Sequence, residues 1–397
     1  MSAMKRLFQV MAEKKASDIF LSVGSPINIK INGVSVPVNQ TVLNADAVKT
    51  LLYEVLHERQ VAEYENEMEL NTAYALEGVG AFRISAFRQK GSPAVVVRFI
   101  PGDIPKIDSL GVPEVLKEII MQKRGLILMV GATGSGKSTS LSAMLDLRNE
   151  QKSGHILTLE DPVEFIFKNK KSIVNQREVG TDTKSFETAL KNALRQAPDC
   201  ILIGEIRDKQ TMGMALAYAQ SGHLALATLH ANNSYHAMNR IISFYPLENR
   251  PTLLLDLSAA LQAIISQRLV RTKTGARKAA VEVLLNTRHI AELIEKGDIN
   301  EIKDAMEKSM APGSQTFEQS LFKMFMDGAI TQDECMTNAD SATNMLWLIN
   351  QATAGNITGQ MPAISPDGDK KDDKKDSAFS NTGPGASFSD FKIDASA

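Results

Sequence analysis

The chain is poor in cysteine, in net charge and in long apolar runs. Cys200 and Cys335 are the two cysteines in 397 residues. Two thiols make no disulfide framework and point to a reducing compartment. Nor can they supply a four-cysteine zinc site. Lysine and arginine number 44 against 46 acidic residues, a formal charge of −2. No global positive field draws a nucleic acid, and no basic stripe interleaved with aromatics suits a single strand. No run reaches the roughly 18 apolar residues of a membrane span. The amphipathic start, Met1 to Lys15, is interrupted by lysines, and no signal-peptide core follows. The expected location is the cytosol, with any membrane association supplied by a partner. The length allows a large core divided among two or three domains.

What is there begins with residues 131–139, Gly-Ala-Thr-Gly-Ser-Gly-Lys-Ser-Thr. This is a phosphate-binding P-loop in the right setting. The apolar run 126–130 leads in like a buried strand. The helix-like stretch 138–148 leads out, with Leu141, Met144, Leu145 and Leu147 as its apolar positions. Turning glycines let successive N–H groups point at phosphate oxygens, and the helix adds its positive N-terminal end. The nucleotide-binding candidates are Gly131, Thr133, Gly134, Ser135, Gly136, Lys137, Ser138 and Thr139. Lys137 reaches the β- and γ-phosphates, and the Ser138 hydroxyl ligates Mg²⁺. The bound groups called for are therefore ATP and Mg²⁺. The plainer reading is a chance match in a glycine-rich turn, and the flanking strand and helix weigh against it.

The rest of the chain organises around that motif. Residues 1–100 mix short helix and strand signals and predict a small α+β domain with a largely antiparallel sheet. Within it, Ile27–Ile31 and Val34–Val38 flank an Asn32-Gly33 hairpin turn. Asn44 caps a helix through Leu51, Leu52, Val55 and Leu56. Residues 80–87 and 94–100 pair as strands. Residues 101–112, opening on Pro-Gly-Asp-Ile-Pro, form a linker. Residues 113–290 alternate apolar strands (126–130, 155–159, 200–203, 224–229) with helices, which predicts an α/β domain with a parallel sheet. Residues 250–350 read as mainly helical, with an apolar stripe from Leu253 to Val270 and one more strand at 280–285. Helices occupy 291–353, where Thr316…Gln319 and Thr331…Glu334 have capping-box spacing. Residues 354–397 turn to Gly, Ser, Asp, Lys and Pro and read as a disordered tail. No internal repeat is seen.

In such sheets ligands bind beyond the carboxyl ends of the strands. After 155–159 comes Glu160-Asp161-Pro162-Val163-Glu164. Three carboxylates beside a P-loop can position metal-bound water and polarise an attacking one; alone they could be a helix cap and a first-turn acid. After 200–203 comes Gly204-Glu205-Ile206-Arg207-Asp208. Glu205 stands where a Walker B acid holds Mg²⁺ through water; Asp199 lies at the wrong end of the strand. His230 follows 224–229 and is placed to contact a γ-phosphate. His223 starts the same strand. Seven extended residues span roughly 23 Å, so His223 serves packing or a subunit contact instead. Arg83 and Arg98 sit on strands of the first domain. They are either solvated faces or arginine fingers supplied across an interface.

Four boxes in this order closely resemble the secretion ATPases of type IV pili and type II secretion. They are the P-loop, Glu160–Glu164, Leu202–Asp208 and Gly222–His230. The segment Ala16–Leu21, Arg83 and Arg98 look like that family too, and the resemblance covers roughly residues 3–350. Assembly and secretion members carry a longer N-terminal region and a four-cysteine zinc module. This chain starts almost directly at the small domain, so it resembles the retraction branch, the PilT/PilU type. The PilT-type C-terminal motif Ala-Ile-Arg-Asn-Leu is absent. Ser341-Ala-Thr-Asn-Met-Leu-Trp-Leu-Ile-Asn350 stands there, and a charged tail follows, which favours the PilU side. The resemblance implies a PAS-like domain joined to a RecA-like domain. It implies a homohexameric ring with ATP between the domains and arginines acting across the gap. It gives Glu164 as general base and Glu205 as Walker B acid. The expected function is a Mg²⁺-dependent ATPase that powers or assists pilus retraction and twitching motility, beside a PilT-type motor and an inner-membrane platform protein. Two other readings stay open: an ATP-binding regulatory or structural ring partner, and a nucleic-acid translocase, against which the acidic balance counts.

Overall fold

Strand alternation builds the first sheet. The strands are β1 Asp18–Ser22, β2 Pro26–Ile31, β3 Val34–Val42, β4 Glu69–Leu76, β5 Gly80–Gln89 and β6 Ser92–Pro101. They lie in the order β3-β2-β1-β6-β5-β4, antiparallel throughout. The helices Ala3–Glu13, Ala45–Tyr53 and Glu58–Glu67 cover this sheet through Met4, Phe8, Met11, Val48, Leu52 and Tyr64. Phe8 stacks on Phe82 with ring centroids 4.0 Å apart, worth about 1 kcal/mol beyond area burial. Asn44 caps its helix as expected, its side chain accepting from the Ala47 N–H at 2.8 Å. The helix stops at Tyr53, before Val55 and Leu56. β1 and β4 had no strong strand pattern of their own. These observations come from a computed structural model, which describes residues 2–353 apart from Asn32, Gly102 and Met310. The tail at 354–397 and the Asn32 half of the hairpin turn lie outside the described residues.

The second sheet holds β7 Gly125–Val130, β8 Gly154–Glu160, β9 Ser172–Glu178, β10 Cys200–Ile203, β11 Leu224–Leu229, β12 Leu261–Arg271 and β13 Arg277–Leu285. Their order is β13-β12-β7-β11-β10-β8-β9. All neighbours run parallel except β12 and β13. Every residue of β7 is buried, and one apolar cluster lies on each face of the sheet. The continuous apolar runs at 126–130, 200–203 and 224–229 are the physical signature of that double burial.

The reading of 250–350 as mainly helical is corrected in part. Helix Arg250–Ala260 ends at Leu261, and the same apolar run continues as β12 beside β7. A run buried on every side carries no period to separate helix from strand. β9 gave no strand signal because five of its seven residues, Ser-Ile-Val-Asn-Gln-Arg-Glu, are polar; it is an edge strand that, among the described residues, pairs with β8 alone. Thr316 and Gln319 form the reciprocal capping box. At Thr331 only half of it exists, because Glu334 Oε1 instead accepts from the Arg271 N–H at 2.8 Å. No helix of the described residues is long and apolar enough to cross a membrane.

Candidate nucleotide site

β7 feeds the P-loop, and the helix Lys137–Gln151 leaves it. The helix has Gly136 at its N-cap, with no side chain to satisfy its first N–H groups. Gly136 has φ +84°, and a Cβ there would stand 2.7 Å from Gln267 Nε2. The loop therefore needs glycine for its conformation, and a Cβ would also displace the Gln267 amide that braces it. The Lys137 ammonium donates to the carbonyls of Gly131 and Ala132 at 2.7 and 2.8 Å. Burial pushes its pKa down, and the charges of Glu205 and Glu164 oppose that.

These groups open on a cavity of about 250 Å³ at the carboxyl ends of β7, β8, β10 and β11. Thr133, Gly134, Lys137, Ser138, Glu160, Asp161, Glu164, Glu205, His230 and Arg83 all line it. The structure thus brings together residues as far apart as 83 and 230. Ser135 lines a second small cavity, of about 270 Å³, on the β12 side of the loop, with Asn232, Arg268 and Arg277. Its Oγ is buried without a hydrogen-bond partner among the described residues. Thr139 is half-buried on the first helical turn and is among the lining residues of neither cavity.

The acidic box is divided in its duties. Glu160 is buried and takes bonds from Thr158 Oγ1 at 2.7 Å, Gln176 Nε2 at 3.3 Å and the Glu164 N–H at 3.4 Å. Burial raises its pKa. Glu178, which sequence reasoning did not single out, accepts from the Val163 N–H at 3.1 Å. These two carboxylates hold the loop that carries Asp161 and Glu164. Asp161 lies 3.7 Å from the Arg207 guanidinium. Glu164 Oε1 accepts from Arg83 Nη2 at 2.8 Å.

Glu205 is engaged from two sides. Arg207 Nε donates to it at 2.8 Å, and His230 Nε2 lies 3.5 Å away. Close packing places it there: a Cβ on Gly204 would sit 3.0 Å from the Leu159 carbonyl. His223 stays at the far end of β11, bonded to Ser221 Oγ at 3.0 Å and edge-on to Tyr218. Asp199 also stays at the far end, accepting from the His155 N–H at 2.8 Å.

The two arginines part company. They are cross-strand partners of β5 and β6, so they share a face of that sheet. Arg83 reaches the cavity of its own chain, and its Nε is buried without a partner among the described residues. Arg98 pairs with Asp18 at 3.0 Å, remains 66% exposed and is not among the cavity residues.

Residues 2–337 match the type II/IV secretion system protein family. The chain belongs to that family. Among its secretion ATPases, the type IV pilus ATPase PilU of Pseudomonas aeruginosa is 46% identical over 87% of this chain and 91% of its own length. The pilus retraction ATPase PilT of the same organism is 37% identical over 85% of this chain and 98% of its own length. The crystal structure of the pilus retraction motor PilT with bound ADP superposes with a TM-score of 0.81, at 38% identity, over 87% of this chain and 98% of that one. The Legionella pneumophila ATPase DotB follows the same fold, with a TM-score of 0.74 at 26% identity over 84% of this chain and 93% of that one. The chain thus sits in the PilT/PilU branch of the secretion family, with an N-terminal α+β domain, a P-loop ATPase domain and C-terminal helices.

Besides Glu178, two site residues of this family member carried no signal that the sequence reading used. Arg207 lies inside a quoted box, and its fork bridges Glu205 and Asp161. Gln267 is buried on β12 and braces the P-loop, donating to the Ser135 carbonyl at 2.8 Å and accepting from Ser140 Oγ at 2.8 Å. A glutamine inside an apolar strand was the available signal.

Proposed function

We propose that the chain is a Mg²⁺-dependent ATPase that works as a homohexamer in the cytoplasm and powers or assists type IV pilus retraction. The single observation that carries this reading is the convergence of Lys137, Ser138, Glu164, Glu205 and His230 on one cavity beside the P-loop. The residues suit the ligand. Glycine-shaped backbone, a helix N-terminus, Lys137 and the unpartnered Ser135 Oγ and Arg83 Nε offer donors to phosphate oxygens. The β12-side cavity leaves room for the rest of the nucleotide. Ser138, with Glu205 through water, gives Mg²⁺ the hard oxygen ligands it favours. When bound, that ion neutralises charge on the phosphates.

In this reading Lys137 steadies the β- and γ-phosphates. Glu164 takes the proton of the attacking water, with its loop held by Glu160 and Glu178. His230 touches the γ-phosphate end. Arg83 or Arg98 meets the charge that develops there, Arg98 from a neighbouring subunit. Hydrolysis changes the angle between domain 1–100 and domain 113–290 about the linker 101–112, and the ring passes that motion to a platform protein of the inner membrane. The similarity to PilT and PilU supports the pilus assignment. Lys137→Ala or Glu164→Gln is expected to abolish ATP turnover in the purified chain. Parent-like turnover in Lys137→Ala would overturn the assignment.

A second reading has its own observation. The helix Ala342–Thr353 departs from the PilT motif and leaves Leu346 and Trp347 exposed. The chain would then bind ATP chiefly to modulate a PilT-type motor. Robust pilus pulling with this chain as the only motor decides against it.

A further inference from the structure

β12 runs beside the P-loop strand, and consecutive strand residues face opposite sides. Gln267 faces the P-loop and is bonded to Ser135 and Ser140. Arg268 faces the other way and gathers three segments. Its guanidinium donates to the Asn232 carbonyl at 3.2 Å, to the Asn338 carbonyl and to Asp340 Oδ1. Its Cζ lies over the Phe317 ring, 3.9 Å from the centroid. Asp340 Oδ2 accepts from Asn233 Nδ2 at 2.7 Å. Asn233 in turn caps the helix Ser234–Ser243, accepting from the His236 N–H at 2.9 Å.

Asn232 and Asn233 belong to the loop that begins at His230. That loop is therefore tied at both asparagines, once by Arg268 and once by Asp340. Asp340 stands just before the helix Ala342–Thr353. The pair is mostly shielded, with side-chain exposures of 21% and 16%, so its geometry is less diluted by water than a surface pair.

We infer that Arg268 and Asp340 are positioning residues for His230, so that the C-terminal helices set the geometry of the hydrolytic site. This rests on the proposed ATPase reading. Neither residue touches the reacting atoms; they act by fixing the loop that carries the histidine. The link works in both directions. A nucleotide that moves His230 also shifts the helix that carries Trp347, the single tryptophan of the chain.

The test uses the full chain with Asp340→Asn, which keeps size and removes charge. Arg268→Lys keeps charge and removes the planar fork. Steady-state turnover is measured against ATP concentration, ADP affinity with a fluorescent ADP analogue, and Trp347 emission on adding ADP. The expected result is a fall in kcat of about tenfold, as for a misplaced catalytic group. In Asp340→Asn, KM and ADP affinity should stay within about twofold, because Asp340 lines neither cavity and the P-loop side is held by Gln267. Arg268 lines the β12-side cavity, so Arg268→Lys is judged by kcat and by the Trp347 response. The ADP-induced change in Trp347 emission should shrink in both variants. The double variant should be no worse than either single one, as coupled residues behave. A kcat within about twofold of the parent in both variants, or an unaltered Trp347 response, overturns the inference. Should Asp340→Asn fail to fold, Asp340→Glu, which keeps the charge and displaces it by one methylene, carries the same readouts. If the parent itself shows no turnover, the ATPase reading fails, while the Trp347 response to ADP still judges the link.

Discussion

Glu282 lies buried on β13, accepting from the Ser234 N–H at 2.7 Å and Ser266 Oγ at 3.0 Å. Burial raises its pKa from the ordinary 4.5. The folded chain thus holds this proton longer than the unfolded chain does. The associated stability is complete below the ordinary value and is lost as pH rises through the raised one. Glu282→Gln keeps an acceptor for Ser234 and Ser266 and abolishes the buried charge. Its urea midpoint should therefore fall less than the parent's between about pH 5 and about pH 8. Parallel pH profiles would remove Glu282 as a source of pH-dependent stability. At this scale the sequence was most legible where one residue type has one use. Lys137, Ser138, Glu164, Glu205 and His230 all reach the cavity. Arg207, Gln267 and Glu178 were not legible, because their meaning depends on partners brought in from other strands. Arg98 was named, but only the folded register reveals that Asp18 holds it away from this chain's own site.

Elements were legible where a period or a cap was present. Asn44 and Thr316 announced helix starts that the structure contains. β12 was hidden because an all-apolar run has no phase, and β9 because an edge strand tolerates polar residues. The end of the helix Glu58–Glu67 was equally silent. Its C-cap, Met68, has φ +62° and is 58% exposed. A left-handed backbone costs a side-chain-bearing residue about 1 kcal/mol, while glycine adds disorder to the unfolded chain. Met68→Gly should therefore stabilise by about 0.5 kcal/mol, seen as a higher urea midpoint. A lower midpoint would mean that Met68 contributes packing that its exposure does not suggest.

For the whole molecule, the doubly buried parallel sheet followed from βα alternation. The contact of β5 with the acidic loop of its own chain had no signal in the sequence. In the proposed ring, Arg98 acts on a neighbour's nucleotide and Lys137 on the chain's own. Arg98→Ala and Lys137→Ala rings should each be inactive. Mixing the two should restore part of the turnover, because a Lys137→Ala subunit still offers Arg98 to an Arg98→Ala neighbour. Absence of any recovery in mixed rings, with exchange verified, would place Arg98 outside the reaction.

The contact between Arg83 and Glu164 has a consequence of its own. It is a clasp between the antiparallel sheet and the acidic loop, and it is made by the carboxylate assigned to the water. A carboxylate whose Oε1 accepts a guanidinium hydrogen bond is held in one orientation and is not free to turn both oxygens toward a water. In the proposed ATPase, clasping and hydrolysis therefore call on one side chain. The proposed ATPase's brake and its ignition would then be the same group, and a chain at rest would idle without burning fuel until β5 swings clear.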